Sequence, residues 1–271
     1  MKKNFAHLVL TRFNTAVGGY APFPKRLDAD WLRTRLALFR RYCLPSMETQ
    51  RNATFQWVIF CDTDSPLWFR KEMASFEPLA RSIYVEGALT DERMASLLAR
   101  DGFASKPYLI TTRLDNDDAI ACDHLAAVQS EFAEQEREFV TFPVGMQLYR
   151  GHLYNMVWSS NPFLSLIEKV GCDGHFSTVC CVSHTRVHSA GRVRSRIRPP
   201  AWLQVIHGDN LGNSLRGWPR IRSRSHPGFE IRWPEAEHSD SLAQRMLFTT
   251  AAYGTRAKRW LNRHTHVLAG A

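Results

Sequence analysis

The stretch "YLITTRLDNDDAI", residues 108–120, runs from apolar and β-branched residues into an arginine and then a group of carboxylates. Its first half is typical of a buried strand. Asp115, Asp117 and Asp118 follow within four positions of one another. Carboxylates this close repel, and each raises the pKa of the others unless a cation compensates. The stretch therefore predicts a buried strand that ends either in the cap of a following helix or in a cation site.

Similar strands surround this one. Continuous apolar segments alternate with helical periodicity, which is typical of a parallel sheet covered on both faces. We predict strands over residues 7–14, 55–66, 81–87, 108–120 and 138–143. We predict helices from a cap near residue 28 to Pro45 and over residues 67–79, 90–102 and 123–137, and a long loop over residues 186–200. The fold class is therefore α/β with a mostly parallel central sheet flanked by helices.

Polar residues follow at least three of these strands. They are Thr11, Arg12 and Asn14 after the first, Asp62 and Asp64 after the second, and the group from Arg113 to Asp118 after the fourth. Ligands of open α/β sheets bind beyond the carboxyl ends of the strands. We therefore expect the three strand ends to form one crevice.

Length and charge limit the partners. The chain has 271 residues, enough for one large α/β domain or two small ones. Residues 186–271 hold 15 Lys and Arg against 5 Asp and Glu, so most of the net charge of +9 lies there. A basic last third predicts an anionic partner, which could be nucleic acid, a membrane surface or a phosphorylated substrate. No apolar stretch approaches the roughly 20 residues of a membrane span, and the N-terminus lacks a cleavable signal, so we expect a cytoplasmic protein.

The six cysteines predict neither zinc nor disulfides. They show no C-x-x-C pair and lie in apolar surroundings. Buried free thiols in a reducing compartment are expected.

The carboxylates after residue 114 fit a metal–phosphate site better than a cap. Two carboxylates separated by one residue at a strand end are how Mg²⁺ or Mn²⁺ is held beside substrate phosphates. Arg113 immediately before them, and Asp62 and Asp64 on the neighbouring strand end, strengthen this interpretation. An Asx turn before Pro66 is the alternative for Asp62 and Asp64.

An ordered series of segments carries a resemblance to a known family. An apolar strand followed by D-x-D resembles the nucleotide-sugar half of GT-A glycosyltransferases. The series resembles, more narrowly, the bacterial family named "putative rhamnosyltransferase". Its segments are "LTRFN" (10–14), "LFRRYCLPSMETQ" (38–50), "FQWVIFCDTDSP" (55–66), "YLITTRLDNDDAI" (108–120), "NPFLSLIE" (161–168) and "PPAWLQVIHGDNLGN" (199–213).

This resemblance implies an architecture and an activity. It implies a GT-A-like catalytic domain over residues 1–215, with a nucleotide-sugar half (1–120) and an acceptor half (121–215). A basic helical extension over residues 216–271 would follow. The activity would be the transfer of a sugar, with L-rhamnose as the candidate, from a nucleotide diphosphate to a glycan, a lipid-linked acceptor or another hydroxyl, with inversion. The segment 242–266 could lie on the inner face of a membrane, or pack on the domain as an ordinary helix.

The resemblance also implies roles for individual residues. Mg²⁺ or Mn²⁺ would be held by Asp115 and Asp117, with Asp118 as the alternative ligand, and by His207. Arg113 would pair with phosphate and Asp62 with the nucleoside. The other donor contacts would be Thr11, Arg12, Asn14, Asp115 and Asn116.

An inverting reaction also needs a base for the acceptor hydroxyl. Glu168, at the end of a predicted short helix, is the first candidate, although a solvated helix-end carboxylate would look the same. Asp173, His175 and His184 are the others.

Two rival functions use the same features. One is a metal-dependent nucleotidyltransferase or phosphohydrolase built on the same carboxylates. The other is a nucleic-acid-binding protein driven by the basic third. The segment "RVRSRIRPP" lacks the interleaved aromatic residues of single-strand platforms, which disfavours nucleic acid.

Overall fold

The computed structural model describes residues 4–17, 24–208, 214–218, 220–221 and 223–234. Its strands are β1 (Phe5–Arg12), β2 (Ala16–Val17), β3 (Gln56–Asp62), β4 (Ala80–Val85), β5 (Ala88–Leu89), β6 (Tyr108–Arg113), β7 (Ala119–Ile120), β8 (Arg137–Thr141), β9 (Val144–Tyr149), β10 (His152–Val157), β11 (Ser165–Lys169), β12 (Val193–Ser195) and β13 (Trp202–Ile206). Its α-helices are α1 (Ala29–Leu38), α2 (Leu44–Glu48), α3 (Leu67–Ala74), α4 (Asp91–Arg100), α5 (His124–Ser130) and α6 (Val187–Ala190). The predicted helical segment 242–266 lies outside the described residues.

A seven-stranded sheet in the order β12-β8-β11-β6-β1-β3-β4 forms the centre of the fold. Every neighbouring pair in it is parallel except the two that involve β11, which runs against both β8 and β6. The predicted α/β class with a mostly parallel sheet is therefore confirmed. One reversed strand in an otherwise parallel sheet agrees with the GT-A-like architecture that the resemblance implied.

Both faces of this sheet are buried, which explains the continuous apolar runs in the sequence. Along β3, Trp57 and Ile59 belong to one hydrophobic core while Val58 and Phe60 belong to a second core on the opposite face. Helices α1, α3 and α5 contribute to the first core, and α4 contributes to the second.

A smaller sheet in the order β10-β9-β13-β7 carries a third core. The described residues after 215 pack on it: Phe229 and Ile231 are buried in this core, and Ile221 donates its N–H to Leu153 O at 2.8 Å. These residues therefore pack on the smaller sheet, and the division of the chain at residue 215 stays a prediction.

Pro45 does not end the first helix, contrary to the prediction. A π-helical turn, Phe39–Cys43, joins α1 to α2, and Leu44 N–H bonds to Phe39 O five residues back. Pro45 falls in the first turn of α2, where a missing N–H costs nothing. The turn thus lets the helix continue to Glu48.

Residues 161–168, predicted as a short helix, contribute strand β11 instead. Leu164 and Leu166 enter one core while Phe163 and Ile167 enter the other, an alternation that only a strand between two layers can bury. A short apolar run cannot be assigned to helix or strand by periodicity alone.

Three other boundaries differ from the sequence-based expectations. The helix predicted over 123–137 is shorter, because α5 ends at Ser130. The strand predicted over 108–120 is divided, with Ala119–Ile120 in the smaller sheet. The loop predicted over 186–200 contains α6 and the edge strand β12. The six cysteines are free, as predicted, but only Cys43, Cys61 and Cys122 are buried.

Candidate active site

The polar residues that follow β1, β3 and β6 meet at one edge of the central sheet, as predicted. These three strands are adjacent and parallel, with Leu10 opposite both Arg113 and Val58. Their carboxyl ends therefore point to the same side. The crevice at this edge is called the strand-end site below, and it is built from three ion pairs.

The first ion pair joins Arg113, the last residue of β6, to Asp115. Arg113 Nε donates to Asp115 Oδ1 at 3.1 Å and Nη2 donates to Oδ2 at 2.7 Å, so the contact is bidentate. Burial alone would raise the pKa of Asp115, but Arg113, with help from Arg12 and His184, lowers it to about 2. Asp115 is therefore ionised at neutral pH, and its charge is matched by a guanidinium that is itself one-fifth exposed.

The second ion pair joins Asp117 to Arg35 of α1, and His207 completes it. Arg35 Nη1 donates to Asp117 Oδ2, and His207 Nε2 lies 2.8 Å from the same oxygen. All three side chains are largely buried. Arg35 Nε has no hydrogen-bond partner among the described residues. A buried arginine with one nitrogen unsatisfied is an unusual feature.

Asp118 points away from this group and into the protein. It is 1% exposed, and its Oδ1 accepts the N–H of Val205 at 2.8 Å, which ties the loop after β6 to β13. Burial, and then the charges of Asp117 and Asp115, raise its pKa well above the ordinary value. The structure therefore favours Asp118 as a tie between the sheets over a metal ligand.

The predicted metal ligands fit a divalent ion only in part. Asp117 Oδ2 and His207 Nε2 converge, and the Arg35 guanidinium already stands beside both, 3.3 Å from His207 Nε2. Asp117 and His207 therefore already lie beside a positively charged group, the guanidinium of Arg35. No three His, Cys, Asp or Glu side chains within the described ranges form a group that could hold a metal. Mg²⁺ beside substrate phosphates commonly uses one or two protein ligands together with the phosphates and water, which is the arrangement that Asp117 and His207 fit.

The third ion pair joins Asp62, at the end of β3, to Arg26. Arg26 Nε donates to Asp62 Oδ2 at 3.0 Å, while Oδ1 accepts the N–H of Asp64 at 2.8 Å. Asn14 Oδ1 accepts the N–H of Asp62, and Asn14 Nδ2 donates to Ser65 Oγ at 3.0 Å. Asp62 and Asn14 are 1% and 2% exposed, so both hold the loops in place. The Asx turn considered for Asp62 is present.

The remaining donor candidates divide between the crevice and the core. Thr11 is fully buried and accepts from Trp57 Nε1 at 2.9 Å, so the structure does not bring it to the crevice. Asn116 is buried and donates to Phe13 O at 2.8 Å, which ties two of the strand-end loops together. Arg12 is half-buried and acts electrostatically on Asp115. Arg12, Arg113, Asp115, Asp117 and His207 are therefore among the predicted residues that the structure brings to the crevice.

Comparison with known proteins identifies the family. The family described as "Putative rhamnosyl transferase" matches residues 8–217, which is more than three-quarters of the chain. The chain belongs to this family. Membership of this family makes the chain glycosyltransferase-like. The matched residues include every strand of both sheets from Leu8 onward. No curated protein matches the sequence.

Solved structures resemble this family member only distantly. S. aureus TarS (residues 1–349, in complex with UDP-GlcNAc) aligns at 10% identity and a TM-score of 0.45, covering 77% of this chain and 60% of TarS. A nucleotide-diphospho-sugar transferase from Desulfovibrio desulfuricans G20 aligns at 10% identity and a TM-score of 0.37, covering 74% and 81%. The inositol-1-phosphate CTP transferase from T. maritima aligns at 9% and 0.36, covering 75% and 90%. The chain thus spans less than two-thirds of the TarS fragment, and likenesses this weak carry no argument about substrate.

Glu168, the first candidate for the base, lies far from the strand-end site. Because β11 is antiparallel, Glu168 pairs with Leu109 near the start of β6. Leu109 precedes Asp115 by six residues, roughly 20 Å of extended strand. Asp173 is exposed in the turn after β11, where it accepts the N–H of His175 at 2.9 Å. The structure therefore does not bring Glu168, Asp173 or His175 to the strand-end site, and their assignment as the base stays a prediction.

Glu168 instead offers a prediction about stability. Burial raises its pKa to about 7, against the opposing effects of Arg137 and of the hydrogen bond from Ser177 N–H. Because this pKa lies above the ordinary 4.5, ionisation of Glu168 destabilises the fold as the pH rises between these values. Glu168→Gln should therefore raise the free energy of unfolding by about 2 kcal/mol at about pH 8 and leave it unchanged at about pH 4.

Urea denaturation at both pH values measures this effect. The exposed Glu136, which pairs with Lys169, is the matched control, and Glu136→Gln should change stability little at either pH. A Glu168→Gln protein that is less stable than the wild type at pH 8 would contradict the assigned direction of the pKa shift.

The basic segment 192–198 is neutralised within the fold. Arg194 bonds to Glu138 at 2.8 Å and Arg196 to Glu131 at 3.1 Å, and Arg198 pairs with Asp123. The alternating arginines of "RVRSRIRPP" thus match acidic residues on and around α5 and β8. This pairing disfavours the use of the segment as a nucleic-acid surface. No helix in the described part of the chain is long and apolar enough to cross a membrane.

Sequence reasoning missed Arg35 and Arg26, and it gave His184 only as one of the other base candidates after Glu168. A signal for Arg35 was present, because it falls on the apolar stripe of α1 between Trp31, Leu32 and Leu36. A charged residue on the buried face of a helix implies a buried partner. No comparable sequence pattern indicated a buried partner for Arg26.

Proposed function

We propose that the protein is a metal-dependent glycosyltransferase that moves a sugar from a nucleotide-diphosphate donor to a hydroxyl acceptor with inversion. L-Rhamnose is the candidate sugar, and a glycan or a lipid-linked glycan is the candidate acceptor. Family membership supports sugar transfer, and the strand-end site supports a diphosphate donor.

The observation that carries this proposal is the set of paired charges at the strand-end site. Three guanidinium groups lie beside three carboxylates there, in the pairs Arg26–Asp62, Arg35–Asp117 and Arg113–Asp115. Arg12 adds a positive charge that acts on Asp115. Guanidinium groups and carboxylates at one strand-end crevice suit a diphosphate with an accompanying cation.

The residues of the site have separable tasks. The Arg113 guanidinium, fixed by both Asp115 oxygens and still partly exposed, presents remaining N–H donors to a phosphate. Arg12 adds a second positive charge from the end of β1. Asp117 and His207 would hold the divalent ion, Mg²⁺ or Mn²⁺. When bound, such an ion supplies Lewis-acid stabilisation of the departing diphosphate.

The buried ties of the site give it rigidity. Asn14, Asp62 and Asn116 fasten the loops after β1, β3 and β6 to one another. Because these bonds are made within the protein, the phosphate-binding side chains need little reorganisation when the donor binds. A single displacement at the anomeric carbon then inverts its configuration, so a β-linked L-rhamnose donor would give an α-rhamnoside.

Analysis of the products distinguishes this reaction from its rival. With dTDP-β-L-rhamnose or UDP-GlcNAc as donors and p-nitrophenyl hexosides as acceptors, sugar transfer breaks the bond between the anomeric carbon and the phosphate oxygen. It yields a nucleoside diphosphate and a glycosylated acceptor. A phosphohydrolase or nucleotidyltransferase breaks the P–O–P bridge and yields a nucleoside monophosphate or triphosphate.

We expect nucleoside diphosphate and glycoside in equal amounts with one of the donors. Asp123→Asn, a change at an exposed carboxylate paired with Arg198, should leave the products unchanged. Nucleoside monophosphate as the main product would refute sugar transfer and favour the phosphohydrolase.

A further inference from the structure

A segment that crosses the sheet face connects the far end of β6 with the strand-end site. In this crossing segment, residues 176–184, Ser177 N–H donates to Glu168 at 2.7 Å and Val179 N–H donates to Thr111 Oγ1 at 2.8 Å. Thr178 donates its N–H and its hydroxyl to Asp91 Oδ1 at 3.1 and 2.6 Å. The segment therefore follows β6 from the level of Leu109 towards its carboxyl end.

The crossing segment delivers His184 to the strand-end site. The charges of Arg113, Asp115 and Arg216 all act on the pKa of His184. Among the described residues, no carboxylate forms a salt bridge with the His184 ring. His184 is half-buried, so part of its side chain remains exposed.

The tautomer of His184 follows from its hydrogen bond. Its Nδ1 lies 2.5 Å from the carbonyl oxygen of Ser160. A carbonyl oxygen can only accept, so Nδ1 carries the proton, and the neutral ring keeps a lone pair on Nε2. Burial lowers the pKa of His184, and Arg113 lowers it further, while the Ser160 hydrogen bond and Asp115 oppose this. The ring is therefore neutral near pH 7.

Trp158 lies next to the His184 ring, and Arg216 lies next to Trp158. Trp158 packs edge-to-face on His184 with 5.2 Å between ring centroids, and Arg216 Cζ lies 5.6 Å from the Trp158 ring. Tryptophan faces pack well against the apolar faces of sugar rings, and Arg216 adds a donor for sugar hydroxyls or for an acidic substituent. Trp158 directly follows β10 and packs on the first hydrophobic core.

We infer that His184 Nε2 is the base that takes the proton of the acceptor hydroxyl, and that Trp158 and Arg216 hold the acceptor sugar beside it. This inference rests on the proposed function. As the acceptor O–H bond breaks, its proton moves to Nε2 and the oxygen forms a bond to the anomeric carbon. The bond from that carbon to the phosphate oxygen breaks, and its electrons leave with the nucleoside diphosphate.

His184→Asn tests this assignment. The Asn side-chain N–H₂ can replace Nδ1 as donor to Ser160 O, but it offers no basic nitrogen. With p-nitrophenyl hexosides as acceptors, we expect kcat to fall at least about 100-fold. The Kd of the donor and the KM of the acceptor should stay within about twofold, because neither depends on the base. The exposed His188, four residues further on, is the matched control, and His188→Asn should keep wild-type kinetics.

Several outcomes would overturn the inference. A kcat within about fivefold of the wild type excludes His184 as the base. A loss of donor affinity that matches the loss of rate makes His184 a donor-binding or structural residue instead. His184→Gln repeats the measurement if His184→Asn fails to fold, as judged by circular dichroism. If the wild type itself releases no nucleoside diphosphate from any donor, the proposed function fails, whereas transfer unaffected by both variants refutes the role of His184 alone.

Discussion

Asp117→Ala should remove nucleotide-sugar binding and also destabilise the fold. Asp117 Oδ2 accepts from Arg35 and is 2.8 Å from His207 Nε2, and the side chains of Asp117 and Arg35 are both less than one-tenth exposed. Without the carboxylate, Arg35 becomes a buried charge without its counter-ion, which costs about 3 kcal/mol of unfolding free energy. Donor affinity in the presence of Mn²⁺ should fall about 100-fold, because the proposed ion loses its carboxylate ligand.

A double variant separates these two effects. Arg35→Met together with Asp117→Asn removes both charges, so the free energy of unfolding should return to within about 1 kcal/mol of the wild type. Nucleotide-sugar binding should not be restored in this double variant. Urea denaturation and isothermal titration calorimetry measure the two quantities. Wild-type donor affinity in the stable double variant would show that Asp117 has only a structural role.

Gly145→Ala should be the most destabilising small substitution in the smaller sheet. A Cβ at Gly145 would lie 2.1 Å from Trp202 Cδ2, well inside van der Waals contact. Trp202 cannot retreat, because it is fully buried, stacks on Phe163 at 5.0 Å and donates from Nε1 to Phe142 O at 2.8 Å. Overpacking of this kind should lower the free energy of unfolding by about 3 kcal/mol.

Gly191→Ala is the matched control for this prediction. A Cβ there would meet only the Phe139 ring at 3.6 Å, which is ordinary contact, so we expect a change below about 1 kcal/mol. Tryptophan fluorescence in urea follows both variants. If Gly145→Ala is as stable as Gly191→Ala, Trp202 does not pack on β9 as described.

The crevice could be predicted from the sequence because parallel strands end at one edge. Asp62, Arg113 and Asp115 each follow an apolar run, so their approximate positions depend only on strand order and direction. Their partners could not be predicted in the same way. Arg35 meets Asp117 across 82 residues of sequence, and Arg26 meets Asp62 across 36. Such pairings depend on how α1 and the first loop pack on the sheet, which no local pattern records.

The direction of β11 explains why Glu168, the first sequence candidate for the base, does not lie at the strand-end site. On the sequence alone, Glu168 is the first candidate because it lies at the end of a predicted short helix within a segment that resembles the family. Strand β11 runs against its neighbours, so its carboxyl end, and Glu168 with it, lies at the opposite edge of the sheet. His184 reaches the crevice because the chain returns along β6 after that reversal. The direction of a short apolar strand is not readable from its own residues.

Calorimetric titration of nucleotide sugars into the wild-type protein, with and without Mn²⁺, tests the diphosphate-donor site most directly. The arrangement of Arg113, Asp115, Asp117 and His207 predicts that at least one nucleotide-diphosphate sugar binds. It also predicts that Mn²⁺ strengthens this binding in the wild type but not in the Arg35→Met/Asp117→Asn variant. Absence of binding by every nucleotide diphosphate tried, with or without the metal, would contradict a donor site at this edge of the sheet.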